Sequence, residues 1–167
     1  MGLESLFSGH ALRTVGADGS VELPAFVLSA LARRTQSRRI FFAPHESDPC
    51  LTGQDEGHAL ILYAEEERRR RREEDLGLDP QDYHRRVRRT FGAAEAAAYD
   101  SHGRIVLPEA VRRRAQLGDE ALIVGTGGSF EIWNPDIARA SGDDELEQLA
   151  AFALEARAVG QASEGRE

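Results

Sequence analysis

Two stretches of this sequence share one order of apolar and polar positions. GADGSVELPAFV (16–27) and DSHGRIVLPEAV (100–111) align Gly19 with Gly103, Val21 with Ile105, Leu23 with Leu107, Pro24 with Pro108 and Val27 with Val111, all 84 residues apart. An internal repeat constrains architecture before any local reading does. Each copy predicts a strand, a tight glycine turn, a second strand and a helix opened by proline, whose missing N–H is not needed in the first helical turn. In the second copy the helix is predicted over 108–117, with Gly118 as its C-terminal cap.

A hairpin pattern follows each helix. The second copy has ALIV (121–124), the turn GTGG (125–128) and SFEIW (129–133), where Phe130 and Ile132 alternate with Glu131 and Trp133 as in a half-buried strand. The first copy has RIFFA (39–43), a longer polar loop and CLTG (50–53). Four short strands cannot close a core alone, so the two halves are expected to pack together.

Longer helices separate and follow the repeats. Residues 55–75 predict one helix, with Leu60, Tyr63 and Ala64 at helical spacing. Gly77 to Pro80 break it, and 80–91 predict a second, with Tyr83 and Val87 on one face. A C-terminal helix is expected from Asp143 or Asp144, with Glu147 placed for a capping box and an apolar stripe of Leu146, Leu149, Ala150, Ala153 and Leu154. From about Gly160 onward fraying is expected. The chain thus divides into a first repeat (6–54), connecting helices (55–91), a second repeat (92–135) and a C-terminal helix with its tail (136–167).

Composition narrows the function classes. With 167 residues, 41% hydrophobic and 30% charged, the chain suits one globular domain or two small ones. No apolar run approaches the length of a membrane span, and MGLESLF does not read as a signal peptide. The single Cys50 allows no intrachain disulfide and fits a reducing cytosol. Net charge is -8, which argues against a uniformly basic nucleic-acid coat. Every basic residue is arginine, a choice that suits phosphate recognition or reflects only a GC-rich genome. The charge is also segregated. Residues 84–114 are net basic and residues 136–167 net acidic, so an acidic tail can mask a basic working surface.

The tandem pattern resembles the MraZ family of bacterial transcriptional regulators, built from AbrB-like repeats. Asp100-Ser101-His102-Gly103-Arg104 matches the family's Asp-x-x-x-Arg signature. An apolar strand and proline follow, then an aromatic strand ending in Trp-Asn-Pro. LFSGHALRTVGADGSVELP (6–24), DPCL (48–51) and DPQDYHRRVRR (79–89) match the family's other segments. In the first copy the signature fails, because Gly16 and Ser20 stand where Asp and Arg belong. The resemblance implies an α+β fold, in which the two repeats form a pseudo-twofold, swapped-hairpin, double-split β-barrel with helices outside. It implies binding of double-stranded DNA at repeated promoter elements of the division and cell-wall genes, in the cytoplasm and at the nucleoid. It also implies a homo-oligomeric ring, typically an octamer, with no cofactor, membrane or small-molecule substrate. The DNA-facing residues it indicates are Arg104, Asp100, Ser101, His102, Gly103 and Arg13. The rival expectation, motivated by the lost first signature and the acid excess, is an AbrB-fold interaction module that no longer binds DNA.

Each candidate also has a plainer reading. Asp100 and Arg104 either form a turn salt bridge that only shapes the hairpin, or Asp100 orients Arg104 toward a phosphate or guanine edge. Arg68 to Arg72 lie between acidic triplets, and Glu65–Arg69, Glu66–Arg70 and Glu67–Arg71 predict a self-neutralised helix. Arg85, Arg86, Arg88 and Arg89, and separately Arg112, Arg113 and Arg114, suit phosphates or subunit contacts equally. No enzyme pattern emerges. His45, Cys50 and His58 are poorly spaced for zinc, and GTGG lacks the Lys-Ser/Thr of a phosphate loop.

Overall fold

The repeat is written directly into the strand pairing. In the computed structural model, which describes residues 2–164, the first copy comprises β1 (His10–Thr14), β2 (Ser20–Glu22), α1 (Ala25–Arg34), β3 (Arg39–Pro44) and β4 (Leu51–Gln54). The second comprises β5 (Glu95–Ala98), β6 (Arg104–Val106), α4 (Glu109–Arg114), β7 (Glu120–Gly125) and β8 (Phe130–Trp133). Between them lie α2 (Glu56–Asp75) and α3 (Pro80–Val87), and after them α5 (Pro135–Arg139) and α6 (Asp144–Glu164). The class is α+β, and every strand pairing in the two sheets is antiparallel.

The larger sheet runs β1-β7-β8-β4-β3-β5 and the smaller pairs β2 with β6. Exchanging the two copies reverses the larger order and leaves it unchanged. The first strand of each copy therefore pairs with the third strand of the other. β2 and β6 meet with Val21 opposite Ile105, residues that the repeat itself equates. Leu23 N donates to Gly103 O and Leu107 N to Gly19 O, both at 2.9 Å, so the exchange is reciprocal down to single hydrogen bonds.

One core fills the space between the two sheets and α1. Val21, Leu23, Ile105 and Leu107 from the small sheet meet Val27, Ala30 and Leu31 from α1 and the fully buried Phe7, Phe42 and Phe130. Phe130 takes Phe7 at 5.2 Å and Phe42 edge-on at 6.5 Å between ring centroids. Its ring lies over Gly53, its register partner in β4, where a Cβ would collide with it. A second cluster covers the opposite face, where Leu122 and Trp133 pack on Ala138, Leu146 and Ala150. Trp133 is thus buried too, and β8 is covered on both faces rather than half-buried. The cause is α5 and α6, which a strand's own alternation cannot reveal.

A buried ion pair ties the copies together. Arg34 Nε stands 2.5 Å from Asp55 Oδ2, with both side chains nearly inaccessible. Nη1 donates to Ser5 O and Nη2 to Gly128 O, and the ring of Phe7 lies 4.9 Å beneath. Asp55 also caps α2 by accepting from His58 N. A buried pair needs further hydrogen bonds to be tolerable, and here each guanidinium nitrogen and each carboxylate oxygen has a partner.

Several expected features shift. Helix 108–117 ends early. The left-handed residue is Gln116 (φ 52°), not Gly118, and Leu117 N donates back to Arg112 O in a Schellman closure. Asn134 Nδ2 holds the Gln116 carbonyl at 2.7 Å, which fixes that stop. The helix expected over 80–91 becomes α3 followed by a π turn at Arg88–Gly92. In α6, Asp143 caps Leu146 N, while Glu147 accepts from Gly142 N, one residue ahead of a strict capping box. The helix continues through Glu164 rather than fraying from Gly160, and positions 165–167 lie outside the described residues.

The charge pairs of α2 also differ from those expected. Arg69 reaches forward to Glu73, and Arg70 to Glu74 and back to Glu67, while α3 contributes Arg86 to both Glu66 and Glu73. Tyr83 donates to Glu67 at 2.8 Å. The helix is charge-paired as expected, but partly by its neighbour. Its apolar residues Leu60, Ile61 and Tyr63 remain exposed, and no residue of α2 is buried.

Candidate nucleic-acid interface

The two glycine turns sit side by side where β2 meets β6. In the second, Asp100 N donates to Arg104 O at 2.9 Å and Gly103 N to Asp100 O at 3.1 Å. Asp100 Oδ1 accepts from His102 N (2.8 Å) and Arg104 N (3.0 Å). A short side chain that binds the backbone two and four residues on locks this geometry. Gly103 has φ +80°, a conformation that L side chains rarely adopt, and a Cβ there would press on Leu28. The Arg104 N–H first, and then that of His102, hold the Asp100 carboxyl below its ordinary range.

The first turn keeps this shape with other residues. Gly16 N donates to Ser20 O and Gly19 N to Gly16 O, and Gly19 has φ +83°. Arg112 lies against Gly19 as its repeat equivalent Leu28 lies against Gly103. The capping carboxylate has moved two positions along, so that Asp18 Oδ1 accepts from Ser20 N at 3.0 Å.

Asp18 also corrects the expected Asp100–Arg104 pair. Arg104 Nη2 meets Asp18 Oδ2 at 3.1 Å, across the repeats, with both side chains more than half exposed. Asp100 spends its contacts on backbone N–H groups instead, and the charge of Arg104 is the smallest influence on it. Asp18 is likewise held low, by the Ser20 hydroxyl and N–H first and by Arg104 after them. Glu22 stands directly opposite Arg104 in the strand register. One arginine thus projects among three carboxylates from a rigid base.

Ser101 and His102 lie exposed at the turn tip, and Gly103 is buried beneath it. Arg13 lies elsewhere, on β1 opposite Ala121, along the groove that β1 forms with Phe152 and Arg157 of α6. Its guanidinium donates to Leu12 O. Asp18 was not among the sequence candidates. The available signal was an acidic residue inside the repeat at a shifted position, and it required knowing that the two turns adjoin.

The comparisons agree with the repeat. Residues 90–158 match the family described as "MraZ protein, putative antitoxin-like". A protein of Gluconobacter oxydans named transcriptional regulator MraZ is 30% identical over 136 residues, covering 80% of this chain and 79% of the relative. The proteins of that name from Shewanella amazonensis and Carboxydothermus hydrogenoformans are each 27% identical, and 89% of this chain matches their whole length. Relatives that share both copies, with the model match falling on the second, place the chain: it belongs to the MraZ family of transcriptional regulators.

Proposed function

We propose that the protein is a DNA-binding transcriptional regulator whose second-repeat turn contacts repeated promoter elements upstream of division and cell-wall genes. The observation that carries the reading is the exposed Arg104 guanidinium on a turn made rigid by Asp100 and Gly103. An arginine so held can donate both N–H groups to a guanine edge or clamp a phosphate. Ser101 and His102 flank it, and Arg13 is a secondary contact from β1. The mutual exchange of strands supports a swapped-hairpin barrel of the AbrB kind, with 6–54 and 92–135 as its two halves, 55–91 as the connecting helices and 136–167 as the C-terminal unit. The exposed apolar side chains of α2 support a ring oligomer, an octamer, in which several turns engage DNA together and weak single contacts combine. A location in the cytoplasm and at the nucleoid follows from this role.

Three carboxylates around Arg104 favour a second reading, an oligomeric interaction module without specific DNA binding. A titration of the chain's own upstream DNA and of scrambled duplex, over a range of salt, separates the two. Arg104→Ala should remove promoter preference, since a bidentate base contact is worth about 1–3 kcal/mol and recurs in every subunit. Promoter binding by Arg104→Ala that equals wild type, with the fold intact, rejects the assignment. Light scattering should give a mass that is a multiple of 18.4 kDa, and a monomer at micromolar concentration rejects the ring.

A further inference from the structure

The fold joins two arginine groups that lie apart in the sequence. Arg85, Arg86, Arg88 and Arg89 come from α3 and the π turn, and Arg114 from the end of α4. All five line one cleft of about 530 Å³. We propose that this cleft binds a polyphosphate anion, a role that goes beyond the DNA-contacting turn.

The charge balance of the cleft carries the argument. Two carboxylates, Glu46 and Glu66, also line it, and both are already engaged. Glu66 accepts from Arg86 Nε at 3.1 Å, and Glu46 stands 3.4 Å from Arg69 of α2. Arg85 pairs with Asp82. Arg89 Nε donates to the His45 carbonyl at 2.7 Å, which leaves its charge uncancelled. Arg88 and Arg114 pair with no carboxylate among the described residues. Three guanidinium charges therefore face one concavity without a counter-charge, in a chain whose net charge is -8. Like charges held together in this way oppose folding, and a bound anion removes that opposition.

The ligand class follows from the donors. Guanidinium forks match the oxygens of phosphate and bind them bidentately. The cleft has the size of a small-ligand site. Among the described residues no aromatic side chain lines it, so it offers nothing for a base to stack on. A chain of phosphates fits these walls, with each terminal phosphate meeting its own arginine. The concave shape also favours a free polyphosphate over the convex backbone of a duplex.

The test uses the full chain with inorganic tripolyphosphate as probe, read by calorimetry and by thermal melting at matched ionic strength. Wild type should bind about one tripolyphosphate per subunit and melt higher in its presence. Arg88→Gln with Arg114→Gln, both at exposed and unpaired positions, should weaken binding by roughly tenfold or more. Arg68→Gln on α2 and Arg104→Ala should bind as wild type. Sulfate at equal ionic strength giving the same melting shift would show screening alone and overturn the site. Tripolyphosphate binding that survives the double variant overturns it as well. A double variant that loses duplex binding while wild type ignores tripolyphosphate assigns the cleft to DNA backbone, and one that changes oligomeric mass assigns it to a subunit contact. Because the duplex arm with Arg104→Ala is read separately, failure of the polyphosphate site leaves the DNA reading intact, and the reverse holds too.

Discussion

Asp18 already engages Arg104, so under the proposed DNA reading a phosphate approaching that guanidinium would meet its carboxylate. An ion pair this exposed holds its partner weakly, so its main effect on a polyanion is repulsion. Asp18→Asn keeps a side-chain oxygen for the Ser20 N–H and removes the charge. Affinity for scrambled duplex should rise roughly two- to fivefold at low salt. An affinity below wild type in a salt titration would mean that Asp18 orients Arg104 rather than competing for it. A different titration belongs to His58, which lies against Gly128 and near the Arg34 guanidinium. Burial first, and then Arg34, lower its proton affinity below the ordinary value of 6.5. The folded state therefore prefers neutral His58. This contribution is complete above pH 6.5 and is lost as pH falls toward the lowered folded value. The melting temperature should drop between pH 7.5 and pH 5.5 by more in wild type than in His58→Gln. Equal drops would remove His58 as the cause.

Within single elements, backbone pattern and burial diverge. The alternation in β8 correctly placed Phe130 and Ile132 inward. It could not reveal that α5 and α6 bury Trp133 on the other face, because period two reports only which side chains share a face. In β4, CLTG reads as an unremarkable strand, yet its glycine is dictated by the ring of Phe130 across the ladder. Gly53→Ala should destabilise the fold by about 1–3 kcal/mol, as overpacking does, measured by urea unfolding. A neutral result would show that the Phe130 ring can shift. Helix α2 was legible from the helical spacing of Leu60, Tyr63 and Ala64, but the fate of those apolar positions was not. Helical spacing identifies a stripe without saying whether the chain itself covers it.

Across the whole molecule, Arg34 and Asp55 join the N-terminal segment, α1, the start of α2 and the β7–β8 turn. Arg34→Met removes the cation and leaves Asp55 buried without its partner, a change that costs about 3–5 kcal/mol. Denaturant unfolding should show that loss. Adding Asp55→Leu should recover part of it, since the orphaned charge goes with it. If the double variant is weaker than Arg34→Met alone, the pair does not account for the effect. The amino-acid pattern alone determined the two copies, the order of their strands and helices, the glycine turns and the candidate Arg104. All but Arg104, which the family resemblance indicated, rest on local rules: periodicity, proline at helix starts and glycine at positive φ. Only the tertiary structure decided which strand pairs with which copy, that Asp18 rather than Asp100 meets Arg104, that Arg34 finds Asp55, and that Arg114 joins Arg85–Arg89. The two ion pairs alone link residues 21 and 86 positions apart, and the β1–β7 pairing reaches further still. Charge carries no directional code along a chain, so its partners are fixed only when the copies exchange strands and bring distant turns together.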